Sequence, residues 1–502
     1  MAHLDCTIGI DIGTSSVKAI AFDPHMREIA HAAEEVKSHH NDEGAAEQDP
    51  KTVYQSVMHV LSRAAQDAQR QGFTVERVGL SAAMHSLIPV AADGAPLGPS
   101  LTWMDLRARE EASKLWQREE GKAVYERTGT PVHPMTPLLK LMWMRKHRPD
   151  IFQKAAKFVS QKEWIWYQWF SEWRVDASIA SATGLYNLRE ANWDGGALEL
   201  AGIAAEKLSD IVPTTYVKEG IRERQLLLAG ILPETVFNIG ASDGVLANLG
   251  VGAITSDVMA LTIGTSCAIR AATGTPITDA SIRSFCYVLD ADRFIAGGPS
   301  NSGGVVLEWL YNSVLSRNPT NRDPRKFVEM MNAAATVQCD DLLCLPYVAG
   351  ERAPLWNADA TGVFSGLRLH HTGPHLMRAA VEGIILNACW FARELFQELG
   401  QPRQIIASGK VLETEWIRQL TADIFGIPVQ FLGAIDASVT GAALLANIAT
   451  GDLTWQAAAH HHTATRETIK QPQQHEAYEG RFQRYRELCN MLSDTWKSSS
   501  SS

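Results

Sequence analysis

Cysteine is sparse and unpatterned in this 502-residue chain: the seven are odd in number, and four residues separate the nearest pair, Cys339 and Cys344. That is wider than the C-x-x-C of a zinc knuckle or redox motif, so reduced, buried thiols are expected and a disulfide framework is excluded. A basic excess is missing too. Lys and Arg number 46 against 56 Asp and Glu, a formal charge of -10, which argues against the broad positive surface that nucleic-acid binding needs. No run approaches the roughly 18 consecutive apolar residues of a membrane span. Met1 to Ile12 also lacks the basic flank and unbroken apolar stretch of a signal peptide. The expectation is a cytoplasmic protein with no nucleic-acid and no membrane partner. Two common nucleotide motifs are absent: Walker A does not occur, and Gly250-Val251-Gly252-Ala253-Ile254-Thr255 lacks the third glycine of G-x-G-x-x-G.

What is present is a globular composition, 45% apolar and 20% charged, in a chain long enough for several domains. Thr7 to Asp23 reads T-I-G-I-D-I-G-T-S-S-V-K-A-I-A-F-D. Apolar runs flank Gly13-Thr14-Ser15-Ser16, and the alternation after the turn suits a strand, so the segment is a hairpin and not a strand-to-helix turn. Half the chain further on, Val258 to Ala272 repeats the pattern, with Ile263-Gly264-Thr265-Ser266 matching Ile12-Gly13-Thr14-Ser15. A repeat this long means two copies of a domain, with a ligand cleft expected between them. Asp49-Pro50 opens a helix with apolar spacing at Val53, Val57, Val60, Leu61 and Ala64 that runs to Gly72. Val78 to Ala82 is a short strand delivering Met84-His85-Ser86, and Phe237 to Ala241 is a second, delivering Ser242-Asp243-Gly244. In α/β sheets ligands sit at the carboxyl ends of strands.

Two glycine-threonine turns in corresponding halves can present backbone N–H groups and hydroxyls to phosphate oxygens, and nucleotide phosphates are the favoured reading over plain turns. Asp11, just before the first turn, suits a carboxylate that organises hydrated Mg²⁺ or one that caps a turn. Asp243 suits a general base that takes a proton from an attacking hydroxyl, and equally a helix N-cap. His85 suits a hydrogen bond to a substrate hydroxyl or carboxylate, or a structural role. Trp103-Met104-Asp105-Leu106-Arg107 suits polyol recognition or a surface salt bridge. Trp166, Trp169 and Trp173 fall at helical spacing, for which a buried helix face is the favoured reading over sugar stacking. For His460, His461 and His462 a solvated loop is favoured over a metal site.

These residues make the chain resemble the FGGY carbohydrate kinases, of the actin-like ATPase superfamily, from Ile8 to about Gly451. The resemblance rests on Gly9-Ile10-Asp11-Ile12-Gly13-Thr14-Ser15, on Met135 to His147 (M-T-P-L-L-K-L-M-W-M-R-K-H), and on Gly362 to Glu382. It implies an α/β fold of two actin-like (ribonuclease H-like) domains with ATP and sugar in the interdomain cleft. The N-terminal domain would cover 1–247 and the C-terminal, nucleotide-side domain 248–451, with 452–502 a tail ending in a disordered serine run. The resemblance assigns Asp243 as catalytic base, and Met84, His85, Trp103, Asp243 and Gly244 to the substrate. Gly13, Thr14, Ser15, Lys18, Gly264, Thr265, Gly304 and Gly409 go to ATP and Asp11 to magnesium; a homodimer is a possible state. Within the family, Ser81 to Ser86, Arg127 to Met135, Gly240 to Leu246 and Gly350 to Asn357 are most similar to members that phosphorylate gluconate, with xylulose kinases next. The implied reaction is transfer of the γ-phosphate of MgATP to the terminal hydroxyl of the sugar acid, with domain closure excluding water. The gluconate carboxylate would take a positive partner among His85, His133 and Lys162. One departure stands out. Where the family has a G-G-G-A-x-S stretch, this chain has Ser408-Gly409-Lys410-Val411-Leu412-Glu413-Thr414, in which the side chains of Lys410 and Val411 would intrude on the nucleotide, or Lys410 would instead add a cationic contact. A sugar-binding protein with little phosphotransfer is therefore the rival class.

Overall fold

The computed structural model describes residues 4–316, 323–339, 341–433, 436–461 and 469–496. His462 and the serine run Ser498 to Ser502 lie outside them. By contacts the chain forms two units. The first takes Met1–Ile254, Ala272–Ala296 and Asp436–His462, and the second takes Thr255–Ala271, Gly297–Ile435 and Thr463–Ser502.

The first unit is organised by a six-stranded sheet in the order Val217–Lys218, Ile231–Ser242, Phe73–Ala82, Leu4–Ile12, Ser16–Phe22, Glu28–Glu35. Leu4–Ile12 and Ser16–Phe22 are the antiparallel hairpin expected of Thr7 to Asp23, with Asp11 opposite Lys18. On its other side Leu4–Ile12 runs parallel to Phe73–Ala82, which runs parallel to Ile231–Ser242. Successive residues of the first strand, from Cys6 to Ile10, are all buried, because both faces of this sheet are covered. One cover is the helix Pro50–Arg70, where Asp49 caps the amides of Lys51 and Thr52 and Val57 and Leu61 are fully buried. Such a cap is worth about 1 kcal/mol and each buried aliphatic about 1.5–3 kcal/mol.

The other cover is the helix Ala437–Ala449, and it can lie on the sheet because two glycines sit opposite each other beneath it. Gly9 pairs with Gly79 across the parallel strands. A Cβ at either would stand 2.1 Å from a helix carbonyl, that of Val439 or Ala442. No side chain fits there, so the glycines set the depth at which the helix docks. The helix brings Asp436 to the end of the first strand, a placement no local pattern reveals.

In the second unit four strands continue the theme. Cys267–Thr273 is antiparallel to Val258–Ile263, which runs parallel to Gln404–Ser408, itself parallel to Val429–Phe431. The second hairpin therefore forms as its likeness to the first predicts. The 27-residue helix Gly373–Leu399, most of it buried, runs out of the string Gly362 to Glu382. Beyond Gly451 the chain is more structured than its polar composition suggests: helices span Trp455–His460 and His475–Leu492, and Phe482, Tyr485 and Cys489 of the latter are buried. All seven cysteines are buried. Among the described residues no helix is long and apolar enough to cross a membrane.

Candidate active site

Three adjacent parallel strands of the first unit end side by side, and their ends carry the expected chemistry. Asp11 is level with Ser81, and Ile12 with Ala82. Ala82 is in turn level with Ser242. Parallel register thus brings Asp11–Thr14, Met84–His85 and Asp243–Gly244 to one sheet edge, although the last lies far along the chain from the first.

At the first strand end, Asp11 Oδ1 accepts a hydrogen bond from Ser81 Oγ at 2.7 Å. Burial raises the Asp11 carboxyl above its usual range, against the hydroxyls of Ser81 and Ser438 and the charge of Lys18. Lys18 itself is paired with Asp436 at 2.5 Å. A carboxylate whose ionised form is penalised by burial is relieved by a divalent cation, and magnesium takes few protein ligands. A single Asp11 carboxylate therefore fits hydrated magnesium completed by phosphate oxygens.

Next to it, the turn Gly13-Thr14 is held from outside the hairpin. Gln48 Nε2 donates to the Thr14 carbonyl at 2.8 Å, and Trp103 Nε1 reaches the Thr14 hydroxyl at 3.4 Å. A small pocket opens here, lined by Gly13, Thr14, Gln48, Met84, Trp103 and Gln161 among others. Met84 and Trp103 thus meet on one pocket with the first turn. Gln48 and Gln161 escape sequence reading, since a single glutamine in a loop or at a helix start carries no pattern. The Asp105 and Arg107 charges of the Trp103 segment pair with each other at 2.6 Å, and Arg107 also reaches Glu47, so they brace the segment and do not form an open binding pair.

His85 is buried and adopts φ +68°. Its Nδ1 donates to the carbonyl of Ala182 at 2.7 Å. A carbonyl only accepts, so the proton sits on Nδ1 and a neutral ring keeps Nε2 as acceptor. His133 Nδ1 accepts from the Met135 amide at 3.3 Å.

Asp243 is half-buried and opens the helix Asp243–Gly250 at its first residue. Ser242 holds the N-cap position without a side-chain cap bond, and Asp243 Oδ1 accepts from the first-turn amide of Gly244 at 2.7 Å. Behind it, Lys162 Nζ donates to the Ala241 carbonyl at 2.9 Å and pairs with Asp176 at 2.7 Å. Burial lowers the Lys162 ammonium while Asp176 opposes the shift. Lys162 is therefore spent on Asp176 and does not stand ready for a ligand carboxylate. Trp166 and Trp169 lie in the buried face of Gln161–Phe170. Trp173 falls beyond that helix, which ends at Ser171 in the left-handed region, and stacks on Tyr167 at 3.8 Å.

The second unit assembles the remaining glycines. The Gly304 amide donates to the Gly264 carbonyl at 2.7 Å and Val305 to Thr265 at 3.1 Å, which lays the start of the helix Gly304–Trp309 against the second turn. A Cβ on Gly303 would meet the Thr265 carbonyl at 2.7 Å, so only glycine permits this approach. Thr265 is exposed. Gly409 follows the neighbouring strand, Lys410 points to solvent, and Val411 stands 3.3 Å from where a Cβ of Gly304 would lie. Of the two departing side chains, it is Val411 that crowds this corner.

Comparison with known proteins agrees with this geometry. Residues 6–250 match the N-terminal domain, and 259–450 the C-terminal domain, of the FGGY family of carbohydrate kinases. The chain is 40% identical over 452 residues to the gluconokinase of Bacillus subtilis (strain 168), covering 89% of this chain and 88% of that one. A solved gluconate kinase from Lactobacillus acidophilus superposes with a TM-score of 0.92 at 31% identity, covering 98% of this chain and 99% of that one. A ligand-bound xylulose kinase from the same organism gives the same TM-score, identity and coverage.

Proposed function

The chain belongs to the FGGY family of carbohydrate kinases, and we propose that it phosphorylates D-gluconate at its terminal hydroxyl with ATP, giving 6-phosphogluconate, Asp243 acting as general base. The observation that carries the site assignment is the register of three parallel strands, which sets Asp243 on the same sheet edge as Asp11 and Met84–His85. The 40% identity to a gluconokinase favours gluconate as acceptor.

Asp243 takes the hydroxyl proton on its carboxylate as that oxygen attacks the γ-phosphorus, and the phosphorus–oxygen bond to ADP breaks. The half-buried carboxylate keeps its geometry through the Gly244 amide, while Lys162 holds the Ala241 carbonyl just before it. Met84, His85, Trp103 and Gly244 bind the sugar acid. Gly13, Thr14, Ser15, Lys18, Gly264, Thr265, Gly304 and Gly409 bind ATP. Asp11 would hold hydrated magnesium, which neutralises phosphate charge when bound. Because phosphoryl transfer needs little covalent help, positioning supplies most of the acceleration. ATP supply places the enzyme in the cytoplasm.

The test is ADP release with MgATP against D-gluconate, D-xylulose, L-ribulose, glycerol and no sugar. Release with gluconate alone is the expected result; release with D-xylulose alone would make the chain a ketopentose kinase, a reading kept open by the equally similar xylulose kinase structure. Silence across the panel with sugar still bound would favour the binding-protein class and point to Val411. Asp243→Asn is expected to keep its melting temperature and its ATP binding and to lose about 10²–10⁴-fold in kcat; near-normal turnover would remove Asp243 from the role.

A further inference from the structure

The string Met135 to His147 belongs to the family resemblance, yet none of its side chains lines the pocket beside Thr14. It forms the helix Pro137–His147, whose Leu138, Leu139, Leu141 and Met144 are buried. Lys140 is buried among them, only 1% exposed. Its ammonium donates to three backbone carbonyls: His85 at 2.5 Å, Thr102 at 2.7 Å and Leu101 at 3.3 Å. An ammonium has three donors, so this set uses all of them. The nearby Asp105 carboxylate is paired with Arg107 at 2.6 Å.

Burial pushes the Lys140 ammonium down to about 7, so the group is costly to bury, and its hydrogen bonds satisfy backbone carbonyls that an apolar side chain would leave unpaired. Its acceptors point to a further use. His85 lies between Met84 and Ser86, and Thr102 adjoins Trp103; Met84, Ser86, Thr102 and Trp103 all line the pocket. His85 is also one of few non-glycine residues with positive φ, at +68°, a conformation that must be held from outside.

We propose that Lys140 is a positioning residue for the acceptor: by bridging the carbonyls of His85 and of Leu101–Thr102 it fixes the two pocket walls, Met84–Ser86 and Thr102–Trp103, at the spacing that binds the sugar. The inference rests on the reading of that pocket as the acceptor site. It differs from a structural role in what it predicts. Loss of a merely structural lysine degrades all kinetic parameters together, whereas loss of a wall-spacing lysine moves the acceptor terms alone, whatever happens to the melting temperature.

The experiment compares wild type with Lys140→Met, an uncharged side chain of similar length, and Lys140→Gln, which retains donors. Turnover of wild type with gluconate or xylulose is measured first; no turnover and no calorimetric binding of either sugar overturns the pocket reading and this inference together. With an active wild type, folded Lys140→Met is expected to keep KM for ATP within about twofold and to raise KM for the acceptor about tenfold or more, as small misplacements of positioning groups do. Lys140→Gln is expected to recover part of that loss. An unchanged acceptor KM in a folded Lys140→Met, parallel rises in both KM values, or failure of both variants to fold would each overturn the proposal while leaving the kinase reading intact.

Discussion

Gly240 decides where Asp243 sits. It has φ +71°, and a Cβ there would lie 1.7 Å from the Leu80 carbonyl of the neighbouring strand. The register between these strands slips at this point, between Asn238 and Ala241. A slip of this kind re-aims the residues after it, and here those are Ser242 and Asp243. Gly240→Ala is therefore expected to destabilise the protein by about 3 kcal/mol or more, since neither the conformation nor the space admits a side chain. Chemical denaturation checks it, and an unchanged midpoint would show that the strand end can slide without loss. The same neighbourhood shows which residue readings sequence permits. Asp243 was legible because it follows a strand-like run directly. Lys162 invited a role toward a ligand carboxylate, because its partner Asp176 belongs to another element and their 2.7 Å pairing leaves no local trace.

Elements with local start and stop signals were legible: Asp49 and Pro50 open the helix that ends at Arg70, and the alternation after Gly13 forms a strand. The helix His475–Leu492 was not, because its mean composition is polar and only a stripe including Arg481, Phe482, Tyr485 and Cys489 is buried. Part of what anchors it is charge. Arg393, on the long helix Gly373–Leu399, contacts Glu479 at 2.6 Å and pulls its carboxyl down from 4.5 to about 2. A folded-state value below the unfolded one means stabilisation that is full above about pH 4.5 and is lost as pH falls toward 2. The Glu479 side chain is 40% exposed, so water screens the pair and its contribution is about 1 kcal/mol, well short of what the shift alone implies. Arg393→Met should accordingly lower the denaturation midpoint at pH 7, with the gap to wild type narrowing below pH 4.5. A gap that stays constant with pH would assign the role of Arg393 to its stacking over Phe482, 4.1 Å away.

At the scale of the whole molecule, the repeat was legible because each turn is encoded within a few residues, Gly13-Thr14 in one half and Gly264-Thr265 in the other. The return of Asp436–His462 to the first unit was not, because it depends on Gly9 and Gly79 leaving room for a helix from late in the chain. The two turns are not equivalent in what they touch. Thr265 is exposed, and its carbonyl accepts from Val305 of the same unit. The Thr14 hydroxyl instead faces Trp103 Nε1 at 3.4 Å on the pocket assigned to the acceptor. Thr265→Ala is thus expected to raise KM for ATP about fivefold while leaving the acceptor KM alone, as the loss of one hydrogen bond to a charged group would. Thr14→Ala should raise both, because it removes a phosphate contact and releases Trp103. A double-mutant cycle separates these cases: Thr14→Ala with Trp103→Phe should be non-additive in acceptor KM, since the two side chains share one contact, and Thr265→Ala with Trp103→Phe should be additive within about 0.5 kcal/mol. Additivity in both cycles would mean that the Thr14 hydroxyl serves the nucleotide alone, and the first turn would then play the same part in its unit as the second does in its own.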